Sequence, residues 1–440
     1  FRDADGDGYG NPQIPEQCLC GPDPVSLFTA TASGDCDDAN GQISPGTPES
    51  CNFIDDDCDG TVDNGVASPC GNCQPVCVID VGEDGDSGFE ATDEDSASGV
   101  AETDDGGLTL VSNAFAFPFI WVANSGENTI SKLNTDTGCE ASRYSICQNP
   151  SRTAVDLDGN GIVACRNDGR VAKVAVLLPD CIDKNQNGQI DTSTDTNGNC
   201  VISADEMVPN DECILWNTKP ISNENTARAA GVDKDNHVWM GGWTQYRLAH
   251  LHSDTGDVLK THNISGQPYG LAIDGDGIIW VASREPKGRL IWVDPDNGEQ
   301  GHTTHPHGQA YGIAVDPLGK VWMASGDGSG GTVGRWDPVT HSWHTFSLPS
   351  PGYTRGVAVR RVDDNNGNLV GAQVFVAHHG WNHGCNPNGH HRRVSVIDAL
   401  TLQEQPGIDL GSDLAPVGVA IDSLGFLWTV NQCASSASKI

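Results

Sequence analysis

Four short stretches of the chain place oxygen-bearing side chains at every second residue, which is the spacing that wraps a calcium ion. They begin at Asp3, Asp55, Asp183 and Asp195. In such loops, side chains at positions 1, 3, 5 and 9 and the backbone carbonyl at position 7 supply oxygen ligands, and glycine at position 6 allows a sharp turn. Three of the four stretches carry that glycine. The spacing therefore predicts about four Ca²⁺ sites.

The predicted ligands follow from these positions, with residue 7 of each loop binding through its carbonyl oxygen. The first two loops contribute Asp3, Asp5, Asp7, Tyr9 and Asn11, then Asp55, Asp57, Asp59, Thr61 and Asp63. The other two contribute Asp183, Asn185, Asn187, Gln189 and Asp191, then Asp195, Asn197, Asn199, Val201, Ser203 and Glu206.

The composition indicates an acidic protein of an oxidising compartment. Lys and Arg number 24 against 60 Asp and Glu, a net charge of −36, which disfavours nucleic acid or an anionic membrane as a partner. The 16 cysteines fall into two sets of eight, before residue 80 and after it, which suits two separately crosslinked domains. Cys70 and Cys73 could instead bind zinc, but no second CxxC pair follows.

The sequence also favours secretion. It has no apolar run long enough to cross a membrane, and it begins at Phe1, within a motif and without Met. We therefore expect that a signal peptide preceded it and that the protein is secreted or displayed at the cell surface. Extracellular calcium is typically millimolar, so even weak loops would be filled there.

One unit recurs beyond about residue 108. It reads Gly-apolar-Ala-apolar-Asp, a tight turn, and then Trp; the clearest copies end at Trp239, Trp280, Trp322 and Trp428. Three weaker copies bring the total to seven. Short alternating strands at a period of about 42 residues predict an all-β fold, a seven-bladed β-propeller.

The repeat divides the chain into parts. We predict a disulfide-rich calcium-binding module at 1–79, an acidic linker at 80–107 and the propeller at 108–440. Blade two is too long, which places a calcium-loop insertion at 181–213, tied at its neck by cysteines. The last unit stops after its third strand, so a strand near Leu108–Ser112, a longer chain or a neighbouring molecule would have to complete blade seven.

Residues 1–65 resemble the MopE-type metal-binding repeat of secreted proteins from myxobacteria and related bacteria. The matching stretches are Phe1–Gly10, Gly34–Asp38 and Pro45–Asn52, which runs into Asp55–Gly60. The resemblance implies calcium binding and an extracellular location, and it adds Asp35 and Asp37 to the metal ligands. It implies no reaction.

Residues 108–440 resemble the seven-bladed propeller of virginiamycin B lyases, also called streptogramin lyases, through the Gly-Ile-Ala-Val-Asp…Val-Trp unit. That family's catalysis uses a Glu and His pair with Mg²⁺, and its blades often read Trp-Phe-Thr-Glu. The position of that Glu is held here by Asn124, Asn167, Gly242, Ser283, Ser325, His378 and Asn431. No blade keeps the Glu, so the sequence indicates no intact lyase site.

Two sets of side chains could carry a binding function. The starts of the inner strands and the facing loops place basic and aromatic residues on one rim of the ring: Arg152, Arg228, Tyr269, Tyr311, Arg355, Trp243 and Trp381. Arg would hold a carboxylate or sulfate and aromatic faces would stack on sugars; alternatively, these residues plug a narrow channel. His378, His379 and His383 could bind a transition metal, or they lie in a solvated loop pinned by Cys385 and Cys433.

Three functions remain open from the sequence. The leading interpretation is a secreted, calcium-stabilised propeller used for surface structure or adhesion, which could associate with copies of itself in an extracellular assembly or filament. The second is a lectin-like binder of cell-surface glycan or another small ligand, using the basic and aromatic rim. The third is a divergent lyase or hydrolase on the same face.

Overall fold

The computed structural model describes residues 1–49, 55–60, 100–102, 108–110, 117–308, 310–325, 331–348, 353–364, 368–380, 393–410 and 414–440. Two compact units, Phe1–Phe115 and Ala116–Ile440, make up the chain. Among the described residues, helical structure is limited to one short 3₁₀ turn, Leu178–Asp180. None of these residues forms a helix long and apolar enough to cross a bilayer.

The described part of the N-terminal unit contains two short pairs of strands. Strand β1 (Tyr9–Gly10) pairs in parallel with β2 (Ala32–Ser33), and β3 (Val100–Glu102) pairs antiparallel with β4 (Leu108–Leu110). The disulfide Cys36–Cys58 crosslinks it. Among its described residues only Ala30 and Ile43 are buried apolar side chains, so apolar burial in this part contributes little to its stability.

The second unit is the predicted seven-bladed propeller. Blade one contains β5 (Phe119–Asn124), β6 (Thr129–Asn134) and β7 (Glu140–Ser145). Blade two contains β8 (Pro150–Val155), β9 (Gly161–Cys165), β10 (Val171–Val174) and β11 (Ile214–Thr218). Blade three contains β12 (Ala227–Val232), β13 (Val238–Gly242), β14 (Arg247–Leu251) and β15 (Val258–Asn263). Blade four contains β16 (Pro268–Ile273), β17 (Ile279–Ser283), β18 (Arg289–Val293) and β19 (Gln300–Thr304).

The remaining blades complete the ring. Blade five contains β20 (Ala310–Val315), β21 (Val321–Ser325), β22 (Thr332–Asp337) and β23 (Ser342–Ser347). Blade six contains β24 (Tyr353–Asp363), β25 (Leu369–Gly380), β26 (Arg393–Asp398) and β27 (Gln403–Asp409). Blade seven contains β28 (Pro416–Ile421), β29 (Leu427–Asn431) and β30 (Ser436–Lys439). Each blade is an antiparallel meander, and the described strands form five four-stranded blades with three-stranded blades one and seven.

The recurring Asp and Trp of the sequence repeat are joined by a hydrogen bond. In blade four, Asp274 Oδ1 accepts the backbone N–H of Ile278 at 2.9 Å, and Asp274 Oδ2 accepts the Trp280 indole N–H at 2.7 Å. The same indole bond occurs at 2.8 Å in three other blades, from Trp239 to Asp233, Trp322 to Asp316 and Trp428 to Asp422. The repeat therefore has a structural role. One carboxylate closes the turn and also fixes the indole, which packs between blades.

The core of the propeller lies between the faces of neighbouring blades. Blades two and three, for example, bury Ile162 and Val171 against Val238 and Met240. Blades one and seven meet in the same way, with Trp428 packed against Ile120 and Val122. Lys439 Nζ also donates to the Thr135 carbonyl at 2.7 Å. Face packing thus closes the ring between its first and last blades.

Of the strand near Leu108–Ser112, predicted as one way of completing blade seven, the structure describes Leu108–Leu110. This stretch pairs with Val100–Glu102 in a two-stranded sheet. Its part in closing the ring stays a prediction. Among the described strands, β30 is the outer strand of blade seven.

The insertion leaves blade two between β10 and β11. The predicted disulfide at its neck is present as Cys181–Cys213, and a second, Cys139–Cys200, ties the insertion to the end of blade one. Next to it, the Glu140 N–H donates to the Cys200 carbonyl at 3.1 Å.

The cysteines do not all form disulfides. Cys147 and Cys165 pair within the propeller, and Cys433 is also disulfide-bonded. The suggested partner of Cys433, Cys385, lies outside the described residues. Cys18 and Cys20 are exposed free thiols. The eight cysteines before residue 80 are therefore not all paired.

Candidate metal and ligand-binding sites

The first predicted calcium loop folds around its own carboxylates. Asp3 Oδ1 accepts the Gly6 N–H at 2.6 Å, and Asp7 Oδ1 accepts the Tyr9 N–H at 2.8 Å. One ligand atom from each of Asp3, Asp5 and Asp7 lies within 4.8 Å of the others. The loop therefore gathers three carboxylates in one place, as a divalent cation requires. The Asn11 side chain instead accepts the Gln13 N–H.

Asp35, in the segment after β2, lies near this group, although its oxygens are not among those within 4.8 Å of one another. It is buried, and its Oδ2 atom has no hydrogen-bond partner; the same is true of one buried oxygen on each of Asp5 and Asp7. Burial raises the pKa of Asp35, and the nearby Asp5 and Asp7 raise it further. Buried carboxylate oxygens without partners cost free energy unless a cation compensates them. Asp37, the other ligand added by the resemblance, is exposed and not gathered with them.

The second loop is gathered by a residue that the sequence reasoning missed. Glu49 Oε1 accepts the Asp57 N–H at 2.8 Å, and its other oxygen is buried without a partner. Glu49, Asp55 and Asp57 place ligand atoms within 4.8 Å of one another. Asp55 also accepts the N–H groups of Asp59 and Gly60. Thr61 and Asp63 lie outside the described residues.

The third loop, in the insertion, folds around two aspartates. Asp183 accepts the N–H groups of Asn187 and Gly188 at 3.2 and 2.9 Å, and the Asn185 and Asn187 amides both donate to Asp191. Gly188 has a φ of +83°, the left-handed conformation that a side chain would strain. Gln189, predicted to bind through its carbonyl, donates its N–H to Asn187 Oδ1.

The fourth loop closes on Glu206, the predicted ligand at position 12. Its Oε1 accepts the Thr196 N–H and its Oε2 accepts the Ser203 N–H, each at 2.9 Å. The Ser203 hydroxyl, the Ser203 N–H and Thr196 lower the pKa of Glu206 to about 2. Asp195 accepts the Asn199 N–H, and Asn199 Oδ1 accepts the Val201 N–H. Asn197 donates to Glu206.

A second carboxylate, Glu212, holds the third loop as Glu206 holds the fourth. Glu212 is buried; its Oε1 accepts the N–H groups of Lys184 and Asn185 at 2.8 and 3.1 Å. Its Oε2 accepts the Asp191 N–H at 2.9 Å. These donors occupy positions 2, 3 and 9 of the loop, so Glu212 takes the role of the twelfth residue from outside the loop. Local spacing could not have found it.

The predicted basic and aromatic rim is a single packed cluster at the inner strands. Arg152, Arg228 and Arg355 lie on β8, β12 and β24, and Tyr269 and Tyr311 on β16 and β20. The guanidinium carbon of Arg228 is 4.1 Å from the centre of the Tyr269 ring, and those of Arg152 and Arg355 are both 4.8 Å from the centres of Tyr269 and Tyr311 respectively. We call these five residues the Arg–Tyr cluster.

Two aromatic and basic neighbours extend the Arg–Tyr cluster. Trp243 stacks edge-on against Tyr269 at 5.4 Å between ring centres, and the guanidinium of Arg284 lies 5.6 Å from the same ring. Arg152, Trp243 and Arg284 are half-buried, whereas Arg228 and both tyrosines are buried. Trp381 lies outside the described residues. The half-buried side chains are therefore the part that a ligand could reach.

The charges in the Arg–Tyr cluster are unbalanced. Arg228 Nε is a buried donor without a hydrogen-bond partner, and burial together with Arg152 lowers the Arg228 pKa to about 10. Although burial opposes its ionisation, the nearby Arg152 and Arg355 lower the pKa of Tyr311 to about 8. Among the described residues, no carboxylate pairs with Arg152 or Arg228. An anionic group would supply the missing charge.

The predicted histidine site is not assembled. His378 Nε2 lies 2.9 Å from Ser395 Oγ within blade six, while His379 Nε2 lies 2.6 Å from Gln432 Oε1 in blade seven. Successive residues of a strand face opposite sides of the sheet, so the two imidazoles cannot converge on one ion. Burial and Arg393 lower the pKa of His378 to about 4, and His383 lies outside the described residues.

The comparisons with known proteins agree with this description of the two units. Residues 35–64 match the family model Cu-binding_MopE, described as "Putative metal-binding motif". No curated protein matches the chain significantly.

Solved structures share the propeller fold. Virginiamycin B lyase from Staphylococcus aureus superposes with a TM-score of 0.54 at 12% identity, over 78% of this chain and 93% of that one. A streptogramin B lyase gives 0.51 at 13% identity, over 78% and 91%. Hydrazine synthase from Kuenenia stuttgartiensis gives 0.53 at 11% identity, over 77% and 97%. At such identities the likeness is one of fold.

Proposed function

We propose that this chain is an extracellular, calcium-stabilised β-propeller with a structural or adhesive role. One observation carries the proposal: Asp5, Asp7 and Asp35 each bury a carboxylate oxygen that has no hydrogen-bond partner. Arg2 approaches this region, but it pairs with Asp38 at 2.9 Å. A bound cation would satisfy these oxygens and offset part of the net charge of −36.

Calcium is the ion that this donor set favours. The side chains predicted as ligands in the described parts of the four loops offer carboxylate, amide and hydroxyl oxygens and no imidazole, and hard oxygen ligands suit Ca²⁺ or Mg²⁺. The irregular loops and the high ligand number favour Ca²⁺, because Mg²⁺ requires near-ideal octahedral geometry and gives up water reluctantly. In an extracellular setting such loops would remain filled.

The experiment is thermal unfolding of the intact protein in Ca²⁺, in Mg²⁺ and in a chelator. Ca²⁺ binding to the folded state alone stabilises by about 2.7 kcal/mol at one hundred times the Kd, so chelation is expected to lower the melting temperature and Ca²⁺ to restore it. Asp7→Asn should weaken the effect, whereas Asp254→Asn, an exposed carboxylate of blade three, should not. Equal melting temperatures in Ca²⁺ and in chelator would refute the proposal.

A second candidate function is binding of a small anionic ligand, such as a carboxylated or sulfated glycan, at the Arg–Tyr cluster. It is favoured by the buried Arg228 guanidinium, which packs on Tyr269 with no carboxylate beside it in the part of the chain that the structure describes. The half-buried Arg152, Trp243 and Arg284 would contact the ligand, and the tyrosines would form the floor. A panel of acidic and neutral glycans tests this function, and selective binding of the acidic members would support it. Binding of neutral and acidic members alike, or of neither, would indicate that the cluster only plugs the channel of the ring.

A structural role through self-association would use the edge of blade seven. The β29–β30 ladder continues to the chain end, where Ile440 and Leu427 exchange both backbone hydrogen bonds. The outer edge of β30 has no partner strand among the described strands, and such an edge can accept a strand from another molecule. Light scattering at increasing concentration tests this role; a monomer throughout would argue against it.

A further inference from the structure

Two histidines and an aspartate converge at one turn of blade three, far along the sequence from any predicted metal loop. Asp233 lies in the turn between β12 and β13, His237 ends that turn, and His250 lies on β14. One ligand atom from each lies within 4.8 Å of the other two. His250 Nε2 is buried and lies 3.1 Å from Asp233 Oδ2.

Trp239 holds two of these three groups in place. Its ring stacks on the His250 imidazole with 4.2 Å between centres and 9° between planes. Its indole N–H donates to Asp233 Oδ2 at 2.8 Å, and Asp233 Oδ1 accepts the His237 N–H at 2.9 Å. The carboxylate and one imidazole are therefore oriented before any ion arrives, which lowers the entropic cost of binding.

The other blades show that the fold does not need either imidazole. The residue four positions after the turn aspartate is His237 here, but Ile278, Lys320 and Phe426 in blades four, five and seven. The residue paired across from the tryptophan is His250 here, but Trp292, Arg335 and Lys439 in those blades. The Asp–Trp hydrogen bond is the same in all four. Of these four blades, blade three alone places two imidazoles beside that carboxylate.

We propose that Asp233, His237 and His250 form a binding site for a divalent first-row transition metal, with Zn²⁺ as the best-suited ion. Imidazole nitrogen with one carboxylate is a donor set of zinc and its neighbours, not of calcium. Small side-chain rotations would bring the ligand atoms to about 2 Å from a shared ion. The side chains of His250 and Asp233 are 20% and 14% exposed, so an ion can enter from solvent.

His252 borders the site and completes its polar wall. Its ring centre lies 5.5 Å from that of His237, and its Nδ1 accepts the Asp254 N–H. This bond leaves Nε2 as the nitrogen that could face an ion. Three ligands together with His252 or a water give the four-coordinate arrangement that Zn²⁺ adopts.

The alternative is that His250 serves only as a cationic partner for Asp233, as Lys439 does for Asp422 at 3.9 Å in blade seven. The repeat itself supplies variants that separate the two roles. His250→Lys keeps a cation beside Asp233 and removes the metal ligand, and His237→Ile installs the residue of blade four. Because other blades fold with these residues, both substitutions should preserve the propeller.

The test is calorimetric titration of Zn²⁺ into the intact protein in saturating Ca²⁺, with Cys18 and Cys20 alkylated to remove competing thiols. The wild type should bind one more Zn²⁺ than the double variant His237→Ile/His250→Lys. Each single substitution should raise the Kd of that site for Zn²⁺ on the order of 100-fold. This is at least the loss expected for a residue that only supports a metal ligand. His302→Thr, at an exposed histidine of β19, is the control and should bind as the wild type does.

A second measurement keeps the proposal testable if the double variant does not fold. In the wild type, Zn²⁺ should protect His237 and His250 from acylation by diethylpyrocarbonate, read by peptide mass mapping, while His302 stays reactive. Equal stoichiometry and affinity for wild type and double variant, or equal acylation of His250 with and without Zn²⁺, would overturn the assignment.

Discussion

The guanidinium carbon of Arg228 lies 4.1 Å above the centre of the Tyr269 ring, in the buried part of the Arg–Tyr cluster. A cation–π contact of this kind stabilises a buried arginine by about 2 kcal/mol when it is desolvated. It cannot replace a counter-charge, because the Arg228 Nε donor remains without a partner. The contact therefore keeps a positive charge without a carboxylate partner at the inner strands of the propeller, in a protein whose net charge is −36.

Replacing that charge tests the anion-binding function. Arg228→Gln should weaken binding of an acidic glycan identified on the panel by about 2 kcal/mol, or roughly 30-fold in Kd, since it removes a charged partner from a desolvated site. Calorimetry measures the change. Arg247→Gln is the matched control, because Arg247 lies in the same blade and bonds to Asn263 at the surface. Equal losses for the two variants would assign the effect to net charge alone.

Tyr311 should give the Arg–Tyr cluster a pH dependence. Because Arg152 and Arg355 offset the effect of burial and lower its pKa to about 8, while an unfolded tyrosine ionises near 10, the folded protein loses the proton first. The free energy of unfolding should therefore gain a stabilising contribution as pH rises from 8 to 10, and this contribution is absent below 8. Over the same range the tyrosinate should compete with an anionic ligand and weaken its binding.

Near-ultraviolet absorbance of tyrosinate, recorded against pH, measures this titration. Tyr311→Phe should remove the ionisation near pH 8 and make ligand binding independent of pH in that range. A tyrosine phenol ordinarily ionises above roughly pH 9.5. If every tyrosine of the wild type ionised only in that range, the assigned role of the arginines would be contradicted.

Glu212 should matter for calcium as much as Glu206 does. Glu212→Gln keeps the shape of the side chain but removes the charge that accepts three N–H groups of the third loop. We expect the Kd of that loop for Ca²⁺ to rise at least about tenfold, measured by calcium titration. Glu206→Gln should do the same for the fourth loop. Asp254→Asn, at an exposed position of blade three, should leave both affinities unchanged.

The buried ion pair of blade two should be a point of high sensitivity. Lys173 Nζ lies 2.8 Å from Asp156 Oδ2, with side chains 3% and 0% exposed. Lys173→Met leaves a buried carboxylate unpaired and should lower the free energy of unfolding by about 3–5 kcal/mol in chemical denaturation. Lys234→Met breaks the exposed pair with Asp235 and should have no measurable effect. Similar losses for both variants would refute the distinction.

Much of the fold could be predicted because its signals are local. The turn aspartate and the tryptophan six residues later recur at the blade period, and their hydrogen bond explains why they recur together. The acidic clusters of the predicted calcium loops could likewise be predicted, since most of their side chains lie within twelve residues of one another. The length of the insertion predicted that cysteines tie its neck, and the structure pairs Cys181 with Cys213 there.

The remaining features depend on contacts between distant residues. Glu212 meets Lys184 across 28 positions, and Glu49 reaches Asp57 from outside the loop, across eight. His250 reaches Asp233 only because β14 folds back beside the turn. The separation of His378 from His379 follows from strand geometry, which a count of nearby histidines overlooks. The sequence therefore predicted which types of residue form these sites, but not which distant residues contact one another.

The two disulfides of the insertion also decide what happens when a protease reaches it. Cys181–Cys213 and Cys139–Cys200 both join residues on opposite sides of the segment 183–199, which is largely exposed. A cut anywhere in that segment leaves two fragments linked twice, so the nicked protein would migrate as one species until it is reduced. Cleavage of this exposed segment therefore does not separate the two fragments of the protein.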